Sequence, residues 1–149
     1  MICDHKDTKK IISSIKSPEN VIIKAHGSID NVNDIIFTSE QYYNAKRQYP
    51  EFYKLLEALF STYTAIFLGY SLSDPDINLI LENIATSSSP SNPHYVVVKT
   101  GLPKQLKEHW QKTYNILCLE YGSDLNDLGE NIFDLKEQVL TLRGERKIP

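Results

Sequence analysis

Hydrophobic positions fall into two patterns that alternate along the chain. Four short, nearly continuous apolar runs, at 21–24, 65–69, 95–99 and 116–120, read as strands. Continuous rather than alternating apolarity is what strands require when a parallel sheet is covered on both faces. Between and after them, apolar residues recur at steps of three and four, the period of a helix with one buried face. Phe52, Leu55, Leu56, Leu59 and Phe60 make one such face, and Ile77, Ile80, Leu81 and Ile84 a second. Leu106 and Trp110 mark a third helix, and Leu125, Leu128, Ile132, Leu135, Val139 and Leu142 a long last one, expected to close the domain.

Starting signals support these helices. Thr38 with Gln41 three places on is a capping box, opening a helix through about Arg47. Pro50 and Pro103 suit first-turn positions, and Ser73 or Asp74 can cap a helix that has Pro75 in its first turn. Alternating strands and helices predict an α/β fold with a mainly parallel sheet and right-handed crossovers. Residues 1–19 read as a polar N-terminal segment, 20–142 as the domain, and 143–149 as a frayed polar tail. The run 86–93, Thr-Ser-Ser-Ser-Pro-Ser-Asn-Pro, reads as a solvated loop.

Composition narrows the class. At 149 residues and 41% hydrophobic, the chain is long enough for a buried core and too apolar for a disordered one. No apolar run reaches the roughly 18 residues of a membrane helix, and MICDHKDTKK lacks the apolar stretch of a secretory signal. With 16 basic against 19 acidic side chains and no basic stripe, nucleic acid is an unfavourable partner. Cys3 and Cys118 are far apart and outside any C-x-x-C pair, which argues against a disulfide framework or zinc site and suits a cytoplasmic setting.

Ligands of an open parallel sheet bind beyond the carboxyl ends of its strands. Past the ends of the expected strands lie Lys24-Ala25-His26-Gly27-Ser28, Gly69-Tyr70-Ser71-Leu72-Ser73-Asp74-Pro75-Asp76, Lys99-Thr100-Gly101 and Glu120-Tyr121-Gly122. Glycines, hydroxyls, carboxylates and one histidine therefore collect at one edge, the expected binding crevice. His26 is suited to general acid–base work by an imidazole that titrates near neutrality; the residues equally allow a half-buried histidine bonded to backbone. Gly69 and Ser71 offer close backbone approach to a phosphate or ribose, or simply a tight strand-to-helix turn. Asp74 and Asp76 are explained more simply as helix caps than as metal ligands. His5 beside Cys3, His94 and His109 read as structural, and Tyr42, Tyr43, Tyr49 and Tyr53 as packing residues.

The segments Ile22-Ile23-Lys24-Ala25-His26-Gly27-Ser28-Ile29-Asp30, Ile36-Phe37-Thr38 leading to Tyr42, and Phe67-Leu68-Gly69-Tyr70-Ser71-Leu72-Ser73-Asp74-Pro75-Asp76, in this order, resemble the sirtuin-like domains of bacterial anti-phage defence proteins. The likeness covers roughly 20 to 142. It implies a Rossmann-like fold that binds NAD, with His26 as the catalytic histidine assisting the ribose hydroxyls and Gly27 beside it. Gly69, Tyr70, Ser71 and Leu72 would line the adenosine side of the NAD pocket. In this branch the implied reaction is hydrolysis of NAD to ADP-ribose and nicotinamide, without a metal. The four-cysteine zinc module of deacetylating sirtuins is absent from the sequence. A non-catalytic module that binds NAD or ADP-ribose, or serves assembly, is the alternative.

The resemblance also implies an N-terminal βαβ unit with a glycine-rich phosphate loop and a catalytic asparagine, and neither precedes Val21. The expectation is thus the carboxyl-terminal portion of such a domain, inactive by itself, that forms a homo-oligomer or pairs with a chain completing its sheet.

Overall fold

The computed structural model describes residues 1–17, 20–87 and 92–148. Among them six helices and five strands alternate, and every strand pairing is parallel. This is the α/β, Rossmann-like order expected from the hydrophobic pattern. The strands form two small sheets rather than one, and the chain divides into two compact units, Met1–Thr62 and Tyr63–Pro149.

The first unit opens with β1 (Ile2–Asp4), α1 (Thr8–Ile15) and β2 (Ile22–Lys24), a βαβ arrangement in which Ile2, Cys3 and Asp4 register with Ile22, Ile23 and Lys24. The polar character of 1–19 gives no sign of it. A three-residue strand is too short to show a period, and α1 has only Ile11, Ile12 and Ile15 among lysines and serines. Yet Ile11 and Cys3 are enclosed and form the unit's core with Phe52. Ile15, Ile23, Tyr53, Leu55 and Leu56 pack against them. Phe52, Leu55 and Leu56 belong to α3 (Pro50–Thr62), which presents the face read from its spacing.

Before it lies α2 (Ser39–Gln48), whose capping box is formed as expected. The Gln41 amide donates to Thr38 Oγ1 at 3.2 Å, and the Thr38 amide donates to Gln41 Oε1 at 2.9 Å. Gln41 Oε1 also accepts the Phe37 amide at 2.8 Å, so one side chain satisfies two backbone donors at the helix entry.

In the second unit β4 (His94–Val98) is central, flanked by β3 (Ile66–Phe67) and β5 (Ile116–Glu120). Val96 and Ile116 are buried, as are Leu81 and Ile84 of α4 (Pro75–Ser87). His94, read as structural, is buried and its Nδ1 accepts the Ala65 amide at 3.1 Å; burial lowers its pKa. α5 (Lys104–Tyr114) ends at Asn115 in the left-handed conformation, φ +53°, which turns the chain directly into β5. Of the expected loop over 86–93, residues 88–91 lie outside the described residues, and 86–87 finish α4.

The last element, α6 (Leu125–Gly144), has the expected register but not the expected environment. None of its residues is buried. Of the stripe read as closing the domain, Leu125, Ile132, Leu135 and Leu142 are exposed and Leu128 and Val139 half-buried.

Candidate functional site

Two turns hold the residues that the resemblance assigns to NAD, one in each unit. The first comes after β2. Gly27 sits at φ +85°, and its amide donates to the Lys24 carbonyl at 3.2 Å. The Asp34 carbonyl lies where a Cβ at Gly27 would stand, so this position requires glycine for both its conformation and its space. The Ile36 amide donates to the His26 carbonyl at 3.0 Å and closes the loop back onto the strand end.

His26 is half-buried. Its imidazole meets the edge of the Tyr42 ring at 4.9 Å between centroids and 72° between planes. Nδ1 lies 3.3 Å from the Tyr42 hydroxyl, a side-chain contact within hydrogen-bond reach. Tyr42 is on the first turn of α2, and the capping box therefore fixes the residue that fixes the imidazole. Beside this pair, Lys24 Nζ donates to Ser28 Oγ at 2.6 Å and meets Asp30 at 3.3 Å. Hydrogen bonds from Ser28 and Lys24 hold the Asp30 carboxyl below its usual pKa.

A second histidine stands at a strand end in this unit, one that the sequence pattern marks only as structural. His5 comes directly after β1, is 3% exposed, and stands edge-on to Tyr49 at 5.1 Å. Its Nδ1 is buried without a hydrogen-bond partner. Burial lowers its pKa; Asp4 opposes that and Lys6 adds to it. His5 lines a cleft of about 300 Å³ together with Lys6, Asp34, Ile36, Gln41 and Tyr49. Lys6 and Asp34, both in this lining, form an ion pair. His26 is not among the lining residues.

The second turn comes after β3. Gly69 at φ +62° and Leu72 at φ +53° both take left-handed backbone, giving a sharp double bend between strand and helix. Asn78 Nδ2 donates to the Leu72 carbonyl at 2.8 Å and secures it. Tyr70 stacks on Phe67 at 5.6 Å, and Ser71 Oγ bonds Ser73 Oγ at 2.5 Å. Leu72 points its side chain into the core, 5% exposed, so what it can offer a ligand is backbone. Asp74 Oδ1 accepts the amides of Asp76 at 2.9 Å and Ile77 at 3.4 Å, the helix-cap role that the sequence favoured over metal ligation. Among the described residues no cluster of three His, Cys, Asp or Glu side chains suits a metal ion.

The structure thus joins His26 to Gly27 in one turn, and Gly69, Tyr70, Ser71 and Leu72 in another. The contact that sequence reasoning missed is Tyr42 on His26. Its signal was the helix start at Thr38, which places residue 42 on the first turn, but no spacing rule links it to position 26.

The family model described as the SIR2-like domain matches residues 4–119. The chain is 27% identical over 133 residues to NAD(+) hydrolase ThsA of Enterococcus faecium, covering 83% of this chain and 27% of that protein. It is 26% identical over 122 residues to NAD(+) hydrolase ThsA of Acinetobacter baumannii (strain 532279), with coverages of 80% and 25%. Defense-associated sirtuin 2 of Bacillus subtilis is 28% identical over 83 residues, 48% of this chain and 8% of that protein. The chain thus spans about a quarter of the length of the ThsA relatives.

Proposed function

The chain belongs to the SIR2-like domain family, and from that premise we propose that it is part of an NAD-binding domain that hydrolyses NAD to ADP-ribose and nicotinamide in bacterial anti-phage defence. NAD is the substrate, and no metal takes part. His26 is the acid–base residue. As the bond from nicotinamide to ribose breaks, positive charge develops on the sugar, and a neutral imidazole near the ribose hydroxyls can take up a proton and ease that charge. Water then adds to the sugar carbon, giving ADP-ribose, and nicotinamide leaves as a neutral ring. Gly27 brings the backbone close to the ligand. Gly69, Tyr70, Ser71 and Leu72 line the adenosine side, with Ser71 offering a hydroxyl and Leu72 only backbone.

The observation that carries this reading is the His26–Tyr42 pair. A half-buried imidazole held through Nδ1 by a phenol has a defined orientation, and orientation is what an acid–base group needs. The relatives named as NAD(+) hydrolases support the same reaction class.

The test monitors nicotinamide release from NAD by this chain, alone and joined to whatever coding sequence precedes it. Turnover in the joined protein that falls at least 100-fold in His26→Ala supports the proposal. Equal turnover in the two proteins ends it. Binding of NAD or ADP-ribose by calorimetry without any turnover replaces it with a sensing module.

A further inference from the structure

Asp34 ties together the two loops that leave the strand ends of the first unit. β1 and β2 are parallel, with Asp4 opposite Lys24, so Lys6 and His26 each stand two residues beyond a registered pair. The loop after β1 is fixed locally. The Lys6 amide donates to Asp4 Oδ1 at 2.8 Å, and the Asp7 amide to the Asp4 carbonyl at 3.1 Å. From this loop the Lys6 ammonium forms an ion pair with Asp34 Oδ1.

Asp34 ends a single 3₁₀ turn, Val32–Asp34, and its amide donates to the Asn31 carbonyl at 3.0 Å. The Asn31 side-chain amide donates to Asp34 Oδ2. One carboxylate oxygen is thus held from the β1 loop and the other from its own turn. The Asp34 side chain is 17% exposed, against 79% for Asp30 in its pair with Lys24, so the Lys6–Asp34 pair is the better shielded of the two. Fully exposed pairs contribute little to holding a loop.

The backbone that follows Asp34 lies against the histidine turn. The Asp34 carbonyl takes the space beside Gly27 where a Cβ would stand, and the Ile36 amide donates to the His26 carbonyl at 3.0 Å. Thr38 then opens the capping box of α2, the helix that carries Tyr42 to His26 Nδ1. Asp34 therefore anchors a segment that meets His26 twice, first on its backbone and then on its ring. A reacting group displaced by about 1 Å loses much of its rate, so such an anchor matters to chemistry as well as to folding.

We infer that Asp34 is a positioning residue for His26: pinned by Lys6 and Asn31, it holds residues 34–38 against the histidine turn and so sets the direction of the imidazole. The catalytic consequence rests on the role proposed for His26; the placement of the ring does not.

Nitrogen NMR of the full chain with labelled histidine reads the ring directly, His26→Gln assigning its signals among the four histidines. Asp34→Asn and Lys6→Met are expected to move the His26 ring signals in the same direction, toward those of Tyr42→Phe. Lys6→Arg, which keeps the cation, retains the parent signals. Loss of charge by itself acts on an imidazole with opposite signs in the two variants. Displacement in opposite directions, or none, therefore overturns the inference. So does an equal displacement in Lys10→Met, which breaks only the pair with Asp7 beside α1.

Activity gives the second readout. In the joined protein, Asp34→Asn and Lys6→Met each lower kcat for NAD about fivefold, as expected for loss of one partly shielded ion pair. KM stays within about twofold, and the double variant is no worse than either single one, because both remove the same pin. Unchanged kcat, or losses that add in the double variant, overturns the inference. A joined parent that releases no nicotinamide ends the role proposed for His26, and the NMR comparison then decides by itself whether Asp34 orients the ring.

Discussion

The Tyr42 hydroxyl stands 3.3 Å from His26 Nδ1, and the two rings meet edge to face. The phenol therefore restrains the orientation of the imidazole through Nδ1. Sixteen residues separate the partners in sequence. What unites them is the loop that returns from β2 to the start of α2.

Removing only that hydroxyl separates positioning from chemistry. Tyr42→Phe keeps the ring contact and loses one neutral hydrogen bond, a change of about 1 kcal/mol. The expected drop in kcat/KM for NAD in the joined protein is therefore about fivefold, far less than for His26→Ala. The pH–rate profile of Tyr42→Phe should also shift, which a purely structural role would not produce.

Thr38→Ala acts one step further back. It removes the Oγ1 acceptor of the Gln41 amide at the head of α2. Loss of such a cap costs about 1 kcal/mol. Urea denaturation should show that loss, and NAD hydrolysis should fall with it, because Tyr42 stands on the turn that frays.

Gly27→Ala tests the strand-end turn. The added methyl meets the Asp34 carbonyl, and φ of +85° is itself unfavourable for alanine. The expected loss is about 2 kcal/mol or more in urea denaturation. Gly101→Ala is the contrast. It has a positive φ of +100° but open space around its Cβ. It should lose only the conformational part, about 1 kcal/mol.

Burial of His5 predicts a pH dependence of stability. Its pKa in the folded chain is lowered, chiefly by burial, while the unfolded chain titrates near the usual value of about 6.5. Below that value the unfolded state takes up a proton that the folded state resists, so stability is full above about pH 6.5 and falls as the solution is acidified toward the folded pKa. His94 in the second unit has the same sign. Urea midpoints measured from pH 8 to pH 5 should fall, and the fall should be shallower in His5→Phe. An unchanged slope in that variant assigns the acid sensitivity elsewhere.

By itself, the sequence determined what depends on near neighbours along the chain. The Thr38–Gln41 box, the cap at Asp74 and β5 at Ile116–Glu120 are local, set by hydrogen bonds or apolar runs that span a few residues. The parallel α/β order arises from continuous apolar strands alternating with helical stripes. The family resemblance was legible because both of its motifs are contiguous. Only tertiary structure decided the rest. β1 and α1 are too short to announce themselves, and they exist because Cys3 and Ile11 complete a core around Phe52, a residue about fifty positions away in one case and forty in the other. His5 is a buried imidazole rather than a loose terminal residue for the same reason. The stripe of α6 was readable to the residue, but a period states only that a face is apolar. What covers that face depends on which surfaces meet in space, and no spacing along one chain encodes that.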